Sequence, residues 1–85
     1  MKHYYETDWG ECWFKDEKYN LYHREDGPAI YGKINGYKAW FKNGIRHRED
    51  GPAIEFPDGS KYWYLDGKPY SEEVYNRLVK LLFLI

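Results

Sequence analysis

Two histidines each stand three residues ahead of an aspartate: His23 with Asp26, and His47 with Asp50. Pairs at this spacing could hold a metal ion or relay a proton. Each histidine is also followed by adjacent acids, Glu25-Asp26 and Glu49-Asp50, which as paired carboxylates could serve hydrolysis. Against both readings stands their repetition. A repeated corner is explained by repeated architecture, whereas catalysis usually assembles one asymmetric constellation. A metal would need three or four ligands, and His3 is the one further obvious nitrogen donor. Cys12 lies between Glu11 and Trp13 in an expected strand, with no neighbour to lower its pKa. No glycine-rich phosphate loop, serine elbow or Cys–His arrangement is present. The expectation is a protein that is not an enzyme and has no cofactor or metal.

A different chemistry is suggested by Tyr37, Lys38, Trp40, Lys61, Tyr62, Trp63 and Tyr64, which mix rings with positive charge. Such a mixture could form a stacking platform for a nucleotide or a single-stranded nucleic acid. The same rings, with Arg24 and Arg48 beside them, are equally the residue types enriched at protein–protein hot spots. The plain alternative is that they are core. Ten Tyr, four Trp and four Phe make 21% of the 85 residues. In so small a chain rings must supply most of the buried area, at roughly 150–250 Å² each. Some must stay partly exposed, because the interior is too small for all of them.

Charge narrows the partners. The 13 basic and 14 acidic side chains are well mixed and leave a formal net charge of −1. That balance provides no long-range field for a polyanion, so nucleic acid ranks below a protein of unknown identity as partner. A lone cysteine can form neither an internal disulfide nor a thiolate metal site. Met1 to Glu6 lacks the apolar stretch of a secretory signal, and the apolar run Leu81 to Ile85 is too short to span a bilayer. A soluble, cytoplasmic protein without membrane insertion is expected.

The elements that must position these residues are repeats. His23-Arg24-Glu25-Asp26-Gly27-Pro28-Ala29-Ile30 recurs unchanged as His47-Arg48-Glu49-Asp50-Gly51-Pro52-Ala53-Ile54, at an offset of 24. Gly36-Tyr37-Lys38-Ala39-Trp40-Phe41-Lys42-Asn43-Gly44 matches Gly59-Ser60-Lys61-Tyr62-Trp63-Tyr64-Leu65-Asp66-Gly67 at an offset of 23. Gly10-Glu11-Cys12-Trp13-Phe14-Lys15 is a decayed earlier copy. The spacing predicts a single domain: a degenerate first repeat over 1–22, repeats over 23–46 and 47–70, and a helix over 71–85.

Each unit reads as short strands joined by tight turns. Ala29 to Ile34 and Tyr37 to Lys42 flank Asn35-Gly36, a strong hairpin signal. Ala53 to Phe56 and Ser60 to Leu65 flank Pro57-Asp58-Gly59, and Asn43-Gly44 and Asp66-Gly67 turn the chain again. Pro28 and Pro52 suit the first residue of a strand. Arg24 could pair with Glu25 or Asp26, and Asp26 and Asp50 could accept backbone N–H bonds. Alternation sends Ala39 and Phe41 to one face with Tyr62 and Tyr64, and Lys38 and Trp40 to the other with Lys61 and Trp63.

After Tyr70 the pattern becomes helical. Ser71 is the expected N-cap, followed by Glu72 and Glu73 at the positive end of the helix dipole. Val74, Tyr75, Leu78, Val79 and Leu82 recur at helical spacing. The apolar tail from Leu81 to Ile85 could be a homo-oligomer or partner surface, or an end packed on the sheet.

Tyr31-Gly32, Trp40, Gly44, His47, Gly51, Gly59, Trp63 and Gly67 together resemble the MORN repeat, a β-hairpin unit of about this length. With the His-Arg-Glu-Asp-Gly-Pro-Ala stretch the likeness is to MORN-variant repeats of small bacterial, phage and large-virus proteins, and it covers Gly10 to Tyr70. The resemblance implies an antiparallel meander of about three hairpin repeats and a non-enzymatic binding scaffold, in some bacterial relatives antitoxin-like. The sequence therefore predicts a mainly β interaction module, closed by a C-terminal α-helix, that binds and inhibits or scaffolds a partner protein.

Overall fold

The computed structural model describes residues 3–16 and 21–83, Phe83 by its backbone alone. Within them lie β1 (Tyr4–Glu6), β2 (Gly10–Trp13), β3 (Ile30–Gly32), β4 (Lys38–Ala39), β5 (Phe41–Lys42), β6 (Ile45–Arg46), β7 (Ile54–Glu55), β8 (Lys61–Leu65), β9 (Lys68–Tyr70) and α1 (Glu72–Phe83). Strands β1, β2, β3, β4, β7, β8 and β9 follow one another in an antiparallel meander, and β5 with β6 forms a separate hairpin. The fold is mainly β with one helix after the last strand, as the sequence predicts.

Turn residues account for the reversals. Asn43 and Gly44 have φ of 53° and 79°, and Asp66 and Gly67 have 51° and 80°. Positive φ at both central residues of a two-residue loop is the hairpin geometry that matches strand twist. Side chains reinforce the other turns. Asn35 Oδ1 accepts the Tyr37 N–H at 3.1 Å, and Asp58 Oδ1 accepts the Ser60 N–H at 2.9 Å.

The run from Tyr37 to Lys42 is not the single strand predicted. It bends at Trp40, whose N–H donates to Ala53 O at 2.7 Å while its carbonyl accepts from His47 N at 3.2 Å. One residue thus serves the meander with its donor and the hairpin β5–β6 with its acceptor. Trp13 does the same between Ala29 O (2.8 Å) and His23 N (3.0 Å). At Trp63, β8 runs through without a break. Lys61 and Tyr62 pair with β7, and Trp63 to Leu65 pair with β9.

The result is a second row of hairpins beside the meander: the Phe14–Tyr22 bridge, β5–β6, and the end of β8 with β9. Each hangs on the one before. Gly44 N donates to Tyr22 O at 2.7 Å, and Gly67 N to Arg46 O at 2.8 Å.

The core is thin, because the molecule measures 37 × 30 × 17 Å. Buried hydrophobic residues, among those described, are Cys12, Ala29, Ala39, Ala53, Ile54, Leu65 and Tyr75. Most other rings contribute as half-buried groups, whereas Tyr5, Trp9, Phe56 and Tyr62 are exposed. Burial also pushes the Cys12 thiol pKa up, away from the reactive thiolate.

Ser71 caps α1 as expected, its Oγ accepting the Val74 N–H at 3.2 Å. The helix packs on β8 and β9. Its inward stripe is narrower than the sequence suggests: Tyr75 is buried and Leu78 and Val79 are half-buried, but Val74 and Leu82 are exposed. A thin sheet covers only one narrow strip of a helix. Leu84 and Ile85, the end of the apolar tail, lie outside the described residues.

Candidate interaction surface

Each side chain of the repeated corner has an architectural partner. His23 Nδ1 accepts the Asn43 N–H at 2.9 Å, which places the ring proton on Nε2, 2.7 Å from Glu25 Oε2. His47 repeats this with the Asp66 N–H at 3.0 Å and Glu49 at 3.0 Å. Both nitrogens of both rings are therefore engaged, with the glutamate two residues on and a turn some 20 residues on. The pairing is not the His–Asp one considered from spacing.

The aspartates instead accept from arginine Nε, Asp26 from Arg24 and Asp50 from Arg48, each at 3.0 Å. The guanidinium groups lie over the ring faces of the tryptophans of the preceding hairpins. Arg24 is 3.8 Å from the Trp13 ring centre, and Arg48 is 3.7 Å from that of Trp40. Arg48 Nη1 also donates to Pro52 O at 3.0 Å and to Glu55 at 3.2 Å. Tyr75 braces this corner from α1. Its hydroxyl donates to Arg48 O and accepts the Gly51 N–H at 3.2 Å.

A second ladder runs along the hairpin row. Phe14 stacks on Tyr22 at 5.1 Å, and Tyr22 meets Phe41 at 5.2 Å. Arg46 then lies between Phe41 (5.8 Å) and Tyr64 (5.5 Å). At the other edge Tyr4 meets Trp13 at 4.9 Å. Its hydroxyl bonds Glu11 at 2.8 Å, which holds its pKa up at about 12.

These ladders sort the nine candidate residues. Arg24, Arg48, Trp40 and Tyr64 are committed to internal stacks. The remaining five divide between faces. Cross-strand register places Ile30, Ala39, Ile54 and Tyr62 in one row, and Tyr31, Lys38, Glu55 and Lys61 in the next. Adjacent rows point to opposite sides of a sheet. Tyr37 and Tyr62 therefore project on one side, and Lys38, Lys61 and Trp63 on the other, so the seven rings and lysines do not form one interleaved platform.

On the first side, Tyr37 touches Phe56 at 5.3 Å, and Phe56 meets Tyr62 edge-on at 5.7 Å. Phe56 is 41% exposed and Tyr62 49%. Ile34, 84% exposed, tips the adjoining hairpin. The sequence reading missed Phe56 as a candidate. The signal was there: Phe56 stands where the preceding unit has Gly32, 24 residues earlier.

At the opposite end of the molecule Ile45, Leu65, Leu78, Leu81 and Leu82 border an open groove between α1 and the hairpin row. Among the described residues no group of three or more His, Cys, Asp or Glu side chains is placed to hold a metal. Nor is any helix long and apolar enough to cross a membrane. No family model, curated protein or solved structure matches the chain.

Proposed function

We propose that this chain is a non-enzymatic protein-interaction module, built of MORN-variant-like hairpin repeats, that meets a partner protein through Tyr37, Phe56 and Tyr62. The observation that carries this reading is the contrast between ring groups. Trp13, Trp40, Phe41 and Tyr64 are each stacked with an arginine, whereas Phe56 and Tyr62 pack on one another and still expose 41% and 49% of their surface. Exposed clustered rings are the usual anchors of a protein interface. The engagement of His23 and His47 within the fold supports a scaffold over a catalyst. Inhibition or scaffolding of the partner by a small bacterial or phage protein is the mode that the repeat resemblance favours.

The alternative, a nucleotide or single-stranded nucleic-acid binder, needs cations beside the stacking rings. Lys38 and Lys61 project away from Tyr37 and Tyr62, which favours the protein partner.

The test is affinity capture from a lysate of the source organism with the wild-type chain and a Phe56→Ser/Tyr62→Ser double variant. A single stoichiometric protein should be retained by the first and depleted about ten-fold or more with the second, while the melting temperature holds. Equal capture by a folded double variant contradicts the assignment. Recovery of nucleic acid alone favours the alternative.

A further inference from the structure

The third unit departs from the other two at its corner. Trp13 and Trp40 are followed by His23-Arg24-Glu25-Asp26 and His47-Arg48-Glu49-Asp50, but Trp63 by Tyr70-Ser71-Glu72-Glu73. The two acids persist, while the arginine is replaced by Ser71, which caps α1 instead. Trp63 thus holds the place of Trp40 in the fold without its guanidinium. No cation lies over the Trp63 ring among the described residues.

A groove of about 440 Å³ opens there, walled by Asp50, Lys61, Trp63, Glu72, Tyr75 and Val79. Asp50 is taken up by Arg48, and Glu73 by Arg77 at 3.2 Å. The Glu72 carboxylate has no ion pair or hydrogen bond among the described residues. The two completed corners display what such a ring accepts: a guanidinium 3.7–3.8 Å above it, with a carboxylate on its edge.

We propose that Trp63 and Glu72 form a binding site for an arginine side chain of a partner protein, the guanidinium lying on the indole and pairing with the carboxylate. Lys61 does not preclude this. Its counterpart Lys38 shares a sheet face with the Trp40–Arg48 stack and has Glu55 between them in register. Lys61 pairs in register with that same Glu55. Planar guanidinium suits the site better than ammonium, because it can stack and present its edge donors together. The site faces away from Tyr62, so it does not rest on the aromatic surface proposed above, and either can fail alone.

The experiment uses the full chain, uniformly labelled with nitrogen-15, titrated with acetyl-Gly-Arg-Gly-amide and, separately, with the lysine analogue. The indole N–H signal of Trp63 should shift saturably, and those of Trp13 and Trp40, whose rings are occupied, should not. The arginine peptide should bind about five-fold more tightly than the lysine one. Glu72→Gln, an exposed change in the first turn of α1, should weaken it about three-fold. No saturable Trp63 shift at tens of millimolar peptide overturns the proposal. So do equal responses to the two peptides, equal shifts at all the tryptophans, or a Glu72→Gln variant that binds like the wild type.

Discussion

Arg48 is a charged residue used as a packing element. Its guanidinium covers the Trp40 ring at 3.7 Å while its edge donates to Asp50, Pro52 O and Glu55. Lysine would keep the charge but lose both the stack and the paired donors. Arg48→Lys should therefore cost about 1–2 kcal/mol, lowering Tm by roughly 4–16 °C in a domain of this size. Arg24 makes the same stack and the same Asp and Pro bonds, but where Arg48 reaches Glu55 the first unit has Tyr31. Arg24→Lys should cost less. Thermal melts of the two variants check the order, and a larger loss at Arg24 contradicts it. At this scale the sequence was half legible. The identity of the two octapeptides marks every residue of the corner as structural. What each one does was hidden, because the histidine acceptors serve turns 19 and 20 residues away, and the indoles lie in the hairpin before.

Elements were legible where turn chemistry is local. Asn35-Gly36, Asn43-Gly44 and Asp66-Gly67 reverse the chain where the sequence says, and Ser71 opens the helix. The bend at Trp40 was not legible. Ring-rich sequence runs through it without a breaker, and only the corner's distant Ala53 and His47 divide its hydrogen bonds between two sheets. Two-residue strands such as Ile45–Arg46 are also too short to give a periodic signal. Gly10 supplies a test at this scale. Strands β2 and β3 come so close at its pairing with Gly32 that a Cβ on Gly10 would stand 2.1 Å from Tyr31 O, a backbone atom. Gly10→Ala should cost about 3 kcal/mol or more by forcing the strands apart. Gly36 has φ of 75° but nothing within 4 Å of a modest side chain's first carbon. Gly36→Ala should cost only about 1–2 kcal/mol, the strain of the left-handed backbone. Urea unfolding of the pair gives the comparison, and equal midpoints would refute the close approach.

For the molecule as a whole, a sheet this thin leaves much of its cohesion at the surface, where protons can reach it. Glu6 on the edge strand β1 bonds Lys33 in the β3–β4 turn, which holds its carboxyl pKa below the ordinary 4.5. The Ser60 N–H holds Asp58 below 3.8 in the β7–β8 turn. For both, the folded state binds fewer protons than the unfolded one as acid is added. Their stabilisation is complete above about pH 5 and is lost as pH falls through the carboxylate range. The opposite limb has the opposite sign. Lys33 is raised above its ordinary 10.5, first by its bond to Glu6, and Tyr4 from 10.0 to about 12, first by its bond to Glu11. These folded-state groups keep their protons longer than the unfolded chain does, so their contribution is complete below about pH 9 and fades above it. Tm measured against pH should form a plateau between about pH 5 and 9 with a decline on each side, the buried Cys12 thiol, raised above its ordinary 9.0, opening the alkaline one. Glu6 contributes to both limbs, directly as a carboxylate and indirectly through Lys33. Glu6→Gln should therefore make the acid and the alkaline declines shallower together. A variant that changed only one limb would mean that the Glu6–Lys33 bond does not join the edge strand to the sheet in solution.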